Sequence, residues 1–285
     1  MTIQSNDFPR PAKPRIALMG EFSAGKSTLA NLLLEQEHSP VQVTATQLPP
    51  VWYSFGDSPA QQVTLEGARQ PVQKPHWRDV CLGEAQLIEV QLEADVLEAA
   101  DLIDVPGTCD PNLPAQYWET LITQVDLVIW CTPAHQAWRQ SEAALWETVP
   151  EELRERSLLL ITRIDKILSE DDRRRILRRA TNEAGHLFAQ VSAASLTEAL
   201  AAPHDETALE RSGVADMVRF LIQMLERVGD TSRGPFVPHV EAGAAPPPLA
   251  EVTPVAAPPI AAPPGLIVPR RIVRKNRQLA ARPTA

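Results

Sequence analysis

The sequence predicts an α/β fold in which helices cover both faces of a mainly parallel β-sheet, and three observations support this prediction. From residue 15 to about residue 228, strand-like apolar runs alternate with helix-like segments. Two of these runs, residues 127–130 and 158–161, are continuously apolar, which is typical of parallel strands that are buried on both faces. A glycine-containing turn joins the first apolar run to the first helix-like segment, so we expect a ligand site at the carboxyl ends of the strands.

The individual elements follow from this alternation along the chain. Apolar runs of strand length predict strands at residues 15–19, 51–55, 87–92, 101–104, 126–131, 157–162 and 188–191. Segments with helix-like patterning predict helices at residues 27–35, 116–124, 140–148, 170–185 and 213–228. Residues 57–86 contain several prolines and little periodicity, so we expect a hairpin with an irregular insertion there.

The character of the chain changes after residue 230. Residues 1–14 form a leader that we expect to be flexible, and residues 15–230 form the predicted α/β domain. Residues 231–285 hold 12 of the 27 prolines, and proline-rich runs continue neither a helix nor a sheet. The sequence therefore predicts a disordered Pro/Ala-rich linker with a basic C-terminal end, which carries Arg270, Arg271, Arg274, Lys275, Arg277 and Arg282.

Charge is distributed unevenly between the predicted domain and this tail. Residues 231–285 contain seven Lys/Arg and two Asp/Glu out of totals of 27 and 36, which leaves residues 1–230 with a net charge of −14. An acidic domain argues against nucleic acid as a partner. The basic end of the tail is a candidate site for an anionic membrane surface or a protein partner.

Composition also indicates the cellular compartment that we expect for the protein. There is no apolar run of the roughly 20 residues that a membrane span needs, and the first residues contain no secretory signal. Cys81, Cys109 and Cys131 are far apart and show no metal-binding spacing, so we expect ordinary thiols in a reducing compartment. These observations predict a cytoplasmic protein, which the basic tail could attach to the periphery of a membrane.

The segment between the first strand and the first helix carries the strongest functional signal. Residues 20–28 fit the pattern G-x-x-x-x-G-K-[ST], in which backbone N–H groups surround a phosphate chain. Lys26 is expected to reach the β- and γ-phosphates, and the hydroxyl of Ser27 is expected to bind Mg²⁺. The predicted nucleotide-binding residues of this loop are Gly20, Ser23, Ala24, Gly25, Lys26, Ser27 and Thr28. The predicted fold is therefore the three-layer P-loop NTPase fold.

A second phosphate-side motif follows a later strand. Residues 102–107 read Leu-Ile-Asp-Val-Pro-Gly, an apolar strand that ends in Asp-x-x-Gly. The Asp104 carboxylate at the strand tip can hold Mg²⁺, usually through water. The backbone N–H of Gly107 can meet a γ-phosphate because no side chain blocks the approach. A threonine for the metal and the γ-phosphate is also needed between the two motifs, and Thr44 and Thr46 are the candidates.

A third motif indicates which base is bound. GTP-binding proteins carry Asn/Thr-Lys-x-Asp at this point, and residues 162–166 read Thr-Arg-Ile-Asp-Lys. The Asp165 carboxylate would accept two N–H bonds from guanine that adenine does not offer in the same way, which disfavours an ATPase. Arg163 replaces the usual lysine, and its guanidinium can stack on the purine. The predicted base-side residues are Thr162, Arg163, Asp165 and Lys166, with Ser192 and Ala193 after a later strand.

Together these motifs resemble the G domain of bacterial dynamin-like GTPases. Residues 20–33 are similar to the first motif of that family, and Thr44-Ala45, residues 51–56, 99–107 and 126–130, and Ser141-Glu142 continue the match. The resemblance covers residues 15 to about 228. It implies a dynamin-like G domain that binds GTP, uses Mg²⁺ and hydrolyses GTP to GDP and phosphate, with activation when two G domains pair.

The resemblance also selects Thr44 over Thr46 as the threonine of the metal site. The expected metal ligands are then Ser27, Thr44 and Asp104. The expected catalytic residues are Lys26, Ser23, Thr44 and Gly107, all of which would surround the transferred phosphate.

Two departures from the family pattern leave other functions open. Eukaryotic dynamins place a glutamine that orders the attacking water where this chain has Phe22, so slow turnover is expected. Dynamins carry a helical bundle and stalk where this chain has its proline-rich tail, so membrane scission by assembled helices is not expected. One alternative is a nucleotide-gated scaffold or switch with negligible hydrolysis. Another is an Era-like GTPase that uses its basic tail on RNA, against which the acidic domain counts.

Overall fold

The computed structural model describes residues 13–35, 49–74, 76–81, 83–107 and 121–229. The chain divides into two units, Met1–Ala244 and Ala245–Ala285, and all the described residues lie in the first. Thr44, Thr46, Cys109, the predicted tail at 231–285 and most of the predicted leader at 1–14 lie outside the described residues. The helix predicted at 116–124 is described only from residue 121 to residue 124, where it is helical.

A sheet of nine strands forms the centre of the described chain. The strands are β1 (Arg15–Gly20), β2 (Val51–Phe55), β3 (Gln61–Thr64), β4 (Arg69–Pro71), β5 (Ala85–Leu92), β6 (Asp101–Asp104), β7 (Leu127–Pro133), β8 (Leu158–Thr162) and β9 (Gln190–Ala193). Their order across the sheet is β4-β3-β5-β2-β6-β1-β7-β8-β9. The strands β6, β1, β7, β8 and β9 run parallel. In contrast, β2 is antiparallel to β6, and β3 is antiparallel to β4 and β5.

Helices lie on both faces of this sheet. They are α1 (Lys26–Leu33), α2 (Asp95–Ala99), α3 (Gln140–Trp146), α4 (Glu151–Arg154), α5 (Glu170–Ala184), α6 (Leu196–Ala201), α7 (Glu206–Ser212) and α8 (Val214–Val228). Within the described ranges, no helix combines the length and apolar character that crossing a bilayer requires.

The side chains of β1 alternate between two apolar clusters, one on each face of the sheet. Ile16 and Leu18 belong to a cluster that α1, α2, α6 and α8 complete. Ala17 and Met19 belong to a second cluster, which includes residues of α3 and α4. All four side chains are fully buried. Burial on both faces is what a continuously apolar strand indicates, and it confirms the predicted three-layer α/β fold.

The differences from the predicted elements have local causes. The last strand is predicted at 188–191, but β9 spans Gln190–Ala193 because the Phe188 ring packs on Trp146 instead of joining the sheet. The hairpin expected within residues 57–86 is confirmed as β3 and β4. The helices α2, α4, α6 and α7 were not predicted, because helices of four to seven residues are too short to show an apolar period.

A cluster of aromatic rings packs α3 against the sheet. Trp146 is fully buried, and its ring stacks on Phe188 with the centroids 4.3 Å apart. The ring of Trp130, in β7, meets Trp146 edge-on at 5.4 Å. The indole N–H of Trp146 donates to the carbonyl oxygen of Leu187 at 2.9 Å. The side chain therefore has both apolar and hydrogen-bonding partners that a smaller residue would lose.

We expect Trp146→Ala to lower the free energy of unfolding by about 3–5 kcal/mol, because it removes a buried indole and leaves a cavity. Urea unfolding of the full chain measures this loss. Leu168→Ala is the control, since Leu168 is 94% exposed, and it should change stability by less than about 0.5 kcal/mol. A loss below about 1 kcal/mol for Trp146→Ala would contradict this packing.

Candidate functional site

The turn between β1 and α1 is shaped by residues with positive φ angles. They are Gly20 (φ 135°), Ser23 (φ 58°) and Gly25 (φ 96°). A Cβ atom at Gly20 would lie 2.1 Å from the carbonyl oxygen of Cys131, so only glycine fits where β1 passes β7. Gly25 directly precedes the first turn of α1. This curled backbone, followed by a helix N-terminus, is the arrangement that binds phosphate groups.

The first turn of α1 carries the residues that the sequence assigns to phosphate and metal. Lys26 is 7% exposed, and its Nζ donates to the carbonyl oxygens of Gly20 at 3.0 Å and Glu21 at 2.9 Å. These bonds hold the ammonium group against the loop. Ser27 and Thr28 follow in the same turn and are half-buried. The positive end of the helix dipole adds to the charge of Lys26 at this point.

Thr162, the last residue of β8, contacts the phosphate loop directly. Its Oγ1 donates to the carbonyl oxygen of Ala24 at 2.7 Å, and both residues are fully buried. Its side chain also lies 3.5 Å from the position that a Cβ would take at Gly25. The residue that begins the predicted base-binding motif therefore supports the loop that faces the phosphates.

Asp104 and Gly107 lie beside the loop on the β6 side of β1. Asp104 ends β6, pairs in register with Leu18 and is 8% exposed. Burial raises the pKa of the Cys131 thiol to about 12. The positive charge of Lys26 lowers this pKa, and the negative charge of Asp104 raises it. A Cβ at Gly107 would lie 2.9 Å from the backbone nitrogen of Phe22, so the chain after β6 passes close to the loop.

The oxygen donors at this point fit a magnesium ion. Ser27 offers a hydroxyl oxygen and Asp104 a carboxylate oxygen, which are the hard ligands that Mg²⁺ prefers. Among the residues that the structure describes, no group of three or more His, Cys, Asp or Glu could hold a metal ion. A nucleotide-bound Mg²⁺ needs only one or two protein oxygens, because phosphates and water complete its shell. Thr44, the third expected ligand, lies outside the described residues.

Asp165 follows β8 at the same edge of the sheet. It lies in the 3₁₀ turn Ile164–Lys166, after Arg163, whose φ of 57° bends the chain. The side chain of Asp165 is 13% exposed and pairs with the ammonium of Lys166 at 3.2 Å. It also accepts a hydrogen bond from the Ser195 hydroxyl at 3.2 Å. These two contacts orient the carboxylate.

Ser195 is a site residue that the sequence analysis missed. It is 1% exposed, and its Oγ also accepts the backbone N–H of Glu198 at 3.3 Å, which makes it the N-cap of α6. The Ser-x-x-Glu pattern of residues 195–198 is a helix-start signal that could have located it. The predicted Ser192 and Ala193 lie at the end of β9, where Ser192 accepts a bond from the Gln190 amide at 2.6 Å.

A buried carboxylate near the loop was also not assigned a role. Glu142, in the first turn of α3, is 2% exposed and accepts hydrogen bonds from the Trp130 indole at 2.8 Å, the Thr132 hydroxyl at 3.2 Å and the Arg139 backbone at 2.9 Å. Burial raises the pKa of Glu142, and these three donors oppose the rise. In the sequence, Glu142 was noticed only as part of the Ser141-Glu142 pair. Two of its donors, Trp130 and Thr132, lie on β7 and come close to it only when the chain folds.

A groove away from these site residues is lined by the C-terminal end of α1 and by four other helices. It has a volume of about 1140 Å³ and lies among α1, α2, α6, α7 and α8, with Val218 and Ile222 on its wall. None of the predicted nucleotide, metal or catalytic residues lines it. The groove is therefore distinct from the candidate nucleotide site.

Comparisons with known sequences identify related proteins. Residues 16–164 match the Dynamin family. Dynamin-like protein 2 of Campylobacter jejuni subsp. jejuni serotype O:23/36 (strain 81-176) is 26% identical over 220 residues, which cover 73% of this chain and 34% of that protein. The isoniazid-induced protein IniC of Mycobacterium tuberculosis is 33% identical over 116 residues, covering 36% of this chain and 24% of that protein. The chain thus spans about a third or less of the length of these relatives.

Solved structures show the same fold. Two structures of an oligomerised bacterial dynamin pair match with TM-scores of 0.61 and 0.63. That pair provides a mechanism for the long-range sensing and tethering of membranes. Each is 16% identical to this chain and covers 76% of it, and the match covers 38% of the other chain. At this identity the similarity extends to the fold.

We expect Thr162→Val to lower the free energy of unfolding by about 1–3 kcal/mol, because the buried carbonyl of Ala24 loses its hydroxyl donor. Thr162→Ser keeps the hydroxyl and is the matched control. Denaturant unfolding of both variants measures the difference. A Thr162→Val variant as stable as the wild type would show that the bond from Thr162 to Ala24 contributes nothing to holding the loop.

Proposed function

Since this chain belongs to the dynamin family, we propose that it binds GTP with Mg²⁺ and hydrolyses the GTP to GDP and phosphate. G domains of this family are GTPases, and the motifs of this chain fit that activity. The observation that carries the proposal is the end of β8, where Thr162 contacts the predicted phosphate loop and the carboxylate of Asp165, three residues later, accepts a hydrogen bond from Ser195.

On the phosphate side, we assign the charge-stabilising role to Lys26. Its ammonium already lies against the carbonyl groups of the loop, so it needs little rearrangement to contact the β- and γ-phosphates. The backbone N–H groups of Ser23, Gly25, Ser27 and Thr28 complete the proposed phosphate cradle. Gly20 sets its curvature, and Ala24 closes the turn by donating its N–H to the Glu21 carbonyl oxygen at 3.2 Å. The backbone of Gly107 approaches the loop at Phe22 and is assigned to the γ-phosphate.

On the metal side, Ser27 and Asp104 are the proposed ligands among the described residues. When bound, Mg²⁺ would neutralise charge on the β- and γ-phosphates. Ser27 lies in the first turn of α1 and Asp104 ends the neighbouring strand β6, so we propose that their oxygens bind the same ion. Thr44 is the proposed third ligand and also the proposed group nearest the attacking water.

On the base side, Asp165 is the proposed guanine reader. Its carboxylate would accept the N1 and N2 hydrogens of guanine, and a buried acceptor left without these donors would disfavour adenine. Arg163, which is exposed beside it, is proposed to cover the purine face together with the stem of Lys166. The backbone at Ser192 and Ala193 is proposed to contact the guanine oxygen.

Phe22 determines the rate of GTP turnover that we expect. Its ring is 48% exposed at the tip of the loop and has no group that can orient water. We therefore propose slow turnover by the single chain, with faster turnover when two G domains pair or a partner binds. The same residue favours a second candidate function, a nucleotide-gated switch or scaffold with negligible hydrolysis.

The cellular setting is proposed from charge and from the bacterial relatives. GTP is a cytoplasmic nucleotide, which is consistent with the cytoplasmic location expected from the sequence. A bacterial dynamin pair of the same fold tethers membranes. Six Lys/Arg fall within residues 270–282 and could attract an anionic membrane surface, each contributing about 1 kcal/mol near the surface. Peripheral membrane attachment through this end, or recruitment of a protein partner, is therefore proposed.

We expect GTP turnover with Mg²⁺ to rise in specific activity as the concentration of the full chain rises, because paired domains supply groups that Phe22 lacks. Phosphate release across a concentration series measures this. Lys26→Ala should reduce turnover by at least about a hundredfold, because it removes the main cation at the phosphates.

The outcomes separate the two candidate functions. Tight GTP binding without turnover that depends on Lys26, at every concentration, would rule out the enzyme and support the switch. Specific activity that is constant with concentration but abolished in Lys26→Ala would support a GTPase that acts as a single chain. Folding of the Lys26→Ala variant is checked by its far-UV circular dichroism.

We expect Asp165→Asn to weaken GTP binding by about a hundredfold or more, because the amide places a donor opposite the donors of guanine. The same variant should gain affinity for xanthosine triphosphate, whose base carries a carbonyl where guanine carries its amino group. Competition binding with the two nucleotides measures the change. If GTP affinity is unchanged in Asp165→Asn, the base is read elsewhere.

A further inference from the structure

Glu21 places a negative charge inside the phosphate loop itself, and Arg139 and Ser141 of the α3 N-terminal turn bind that charge. We propose that Arg139 is a positioning residue for nucleotide binding, which keeps the Glu21 carboxylate directed away from the phosphates and balances its charge. This inference rests on the proposed function, because it concerns how the same loop accepts a phosphate chain.

The contacts that carry the inference are specific. The Nη1 of Arg139 lies 3.0 Å from Oε2 of Glu21, and the Ser141 hydroxyl donates to Oε1 at 2.9 Å. Each carboxylate oxygen therefore has its own donor from the same turn. The Glu21 side chain is 12% exposed and that of Arg139 is 46% exposed, so the pair lies at the margin of the protein interior. A charge pair in this position is weakened by solvent less than a fully exposed pair.

Glu21 is also joined to the phosphate-binding groups through its backbone. Its carbonyl oxygen accepts the Nζ of Lys26 at 2.9 Å and the backbone N–H of Ala24 at 3.2 Å. A change in the position of Glu21 therefore moves an acceptor of Lys26 and a bond inside the loop. Arg139, the N-cap residue directly before α3, contacts the Glu21 carboxylate from 118 residues further along the chain, and so from outside the loop.

The surroundings make the charge of Glu21 consequential. Glu142 lies in the same turn as Ser141, is 2% exposed, and is close enough for the charge of Glu21 to raise its pKa. Two carboxylates thus share this margin of the loop, and Arg139 is the cation paired with one of them. GTP carries several negative charges to the same loop, and like charges oppose binding most strongly where solvent is partly excluded. Removing Arg139 should therefore weaken the binding of the more highly charged nucleotide.

The test is a double-mutant cycle on the full chain, with Mg²⁺ and fluorescent GTP and GDP analogues as the probes. We expect Arg139→Ala to weaken GTP binding by about tenfold and GDP binding by less, because the repulsion grows with ligand charge. Glu21→Gln should bind GTP at least as tightly as the wild type. The double variant Glu21→Gln/Arg139→Ala should recover to within about threefold of the wild type, because its loop no longer carries the negative charge. Arg139→Lys should retain most of the affinity.

The hairpin offers a matched control. Arg69 pairs with Glu89 at 3.0 Å, with side chains 41% and 20% exposed, and this pair joins β4 to β5 rather than contacting the loop. Arg69→Ala removes the same charge from a similar ion pair and should leave GTP and GDP affinity unchanged. It also shows how much unfolding free energy such a pair contributes, against which Arg139→Ala is compared.

Three results would overturn the inference. One is an Arg139→Ala variant that binds GTP like the wild type. Another is a double variant as weak as Arg139→Ala, which would mean that Arg139 acts as a structural tether and not through charge. The third is an equal loss for GTP and GDP. If the wild-type chain binds neither nucleotide, the proposed function fails first, and this inference fails with it.

Discussion

The close packing of the phosphate loop against the ends of β7 and β8 is the constraint on which the rest of the site depends. At Gly20 the backbone passes so near the Cys131 carbonyl that a Cβ would lie 2.1 Å from that oxygen. One strand further along, Thr162 supplies the hydroxyl that the buried Ala24 carbonyl needs. A loop that binds through its backbone N–H groups has few side chains to fix its shape, so neighbouring strands must fix it. The parallel order β1-β7-β8 brings these strand ends to one edge of the sheet.

Buried charge is the second constraint, because several ionisable groups meet near this edge. Lys26, Asp104 and Glu142 are each less than a tenth exposed, and an unpaired charge at such positions would destabilise the fold by several kcal/mol. Hydrogen bonds explain how two of them are tolerated. Lys26 donates to two loop carbonyls, and Glu142 accepts from three donors supplied by β7 and the turn before α3. The hydrogen bonds thus keep Lys26 and Glu142 paired although both are largely shielded from bulk water.

The sequence was sufficient for features that depend on neighbours in the chain. Apolar runs that alternate with helix-like segments predicted the helix and sheet layers of the fold. The pattern of residues 20–27 predicted the turn and the helix that follows it. Features that depend on distant residues were missed. Ser195 contacts Asp165 across 30 residues of chain, and Arg139 contacts Glu21 across 118. Phe188 looked like the start of a strand because its apolar character gives no indication that a tryptophan ring would stack on it. Patterns of spacing carry no information on such pairs.

The residues proposed to bind the nucleotide are also separate from Phe22, the residue proposed to limit turnover. Thr162 ends β8 and Asp165 follows it by three residues, so the support of the loop and the orientation of the Asp165 carboxylate are coupled through β8. The other sides of the candidate site are coupled as well. The N-cap residue of α6, Ser195, contacts Asp165, and α6 shares an apolar cluster with α1, which carries Lys26. The residues proposed to bind the nucleotide therefore lie on elements that are packed together. Phe22 lies outside these elements, with its ring 48% exposed at the loop tip. A change at this position can alter how water is ordered without disturbing these elements, so strong binding and slow hydrolysis are compatible in one chain.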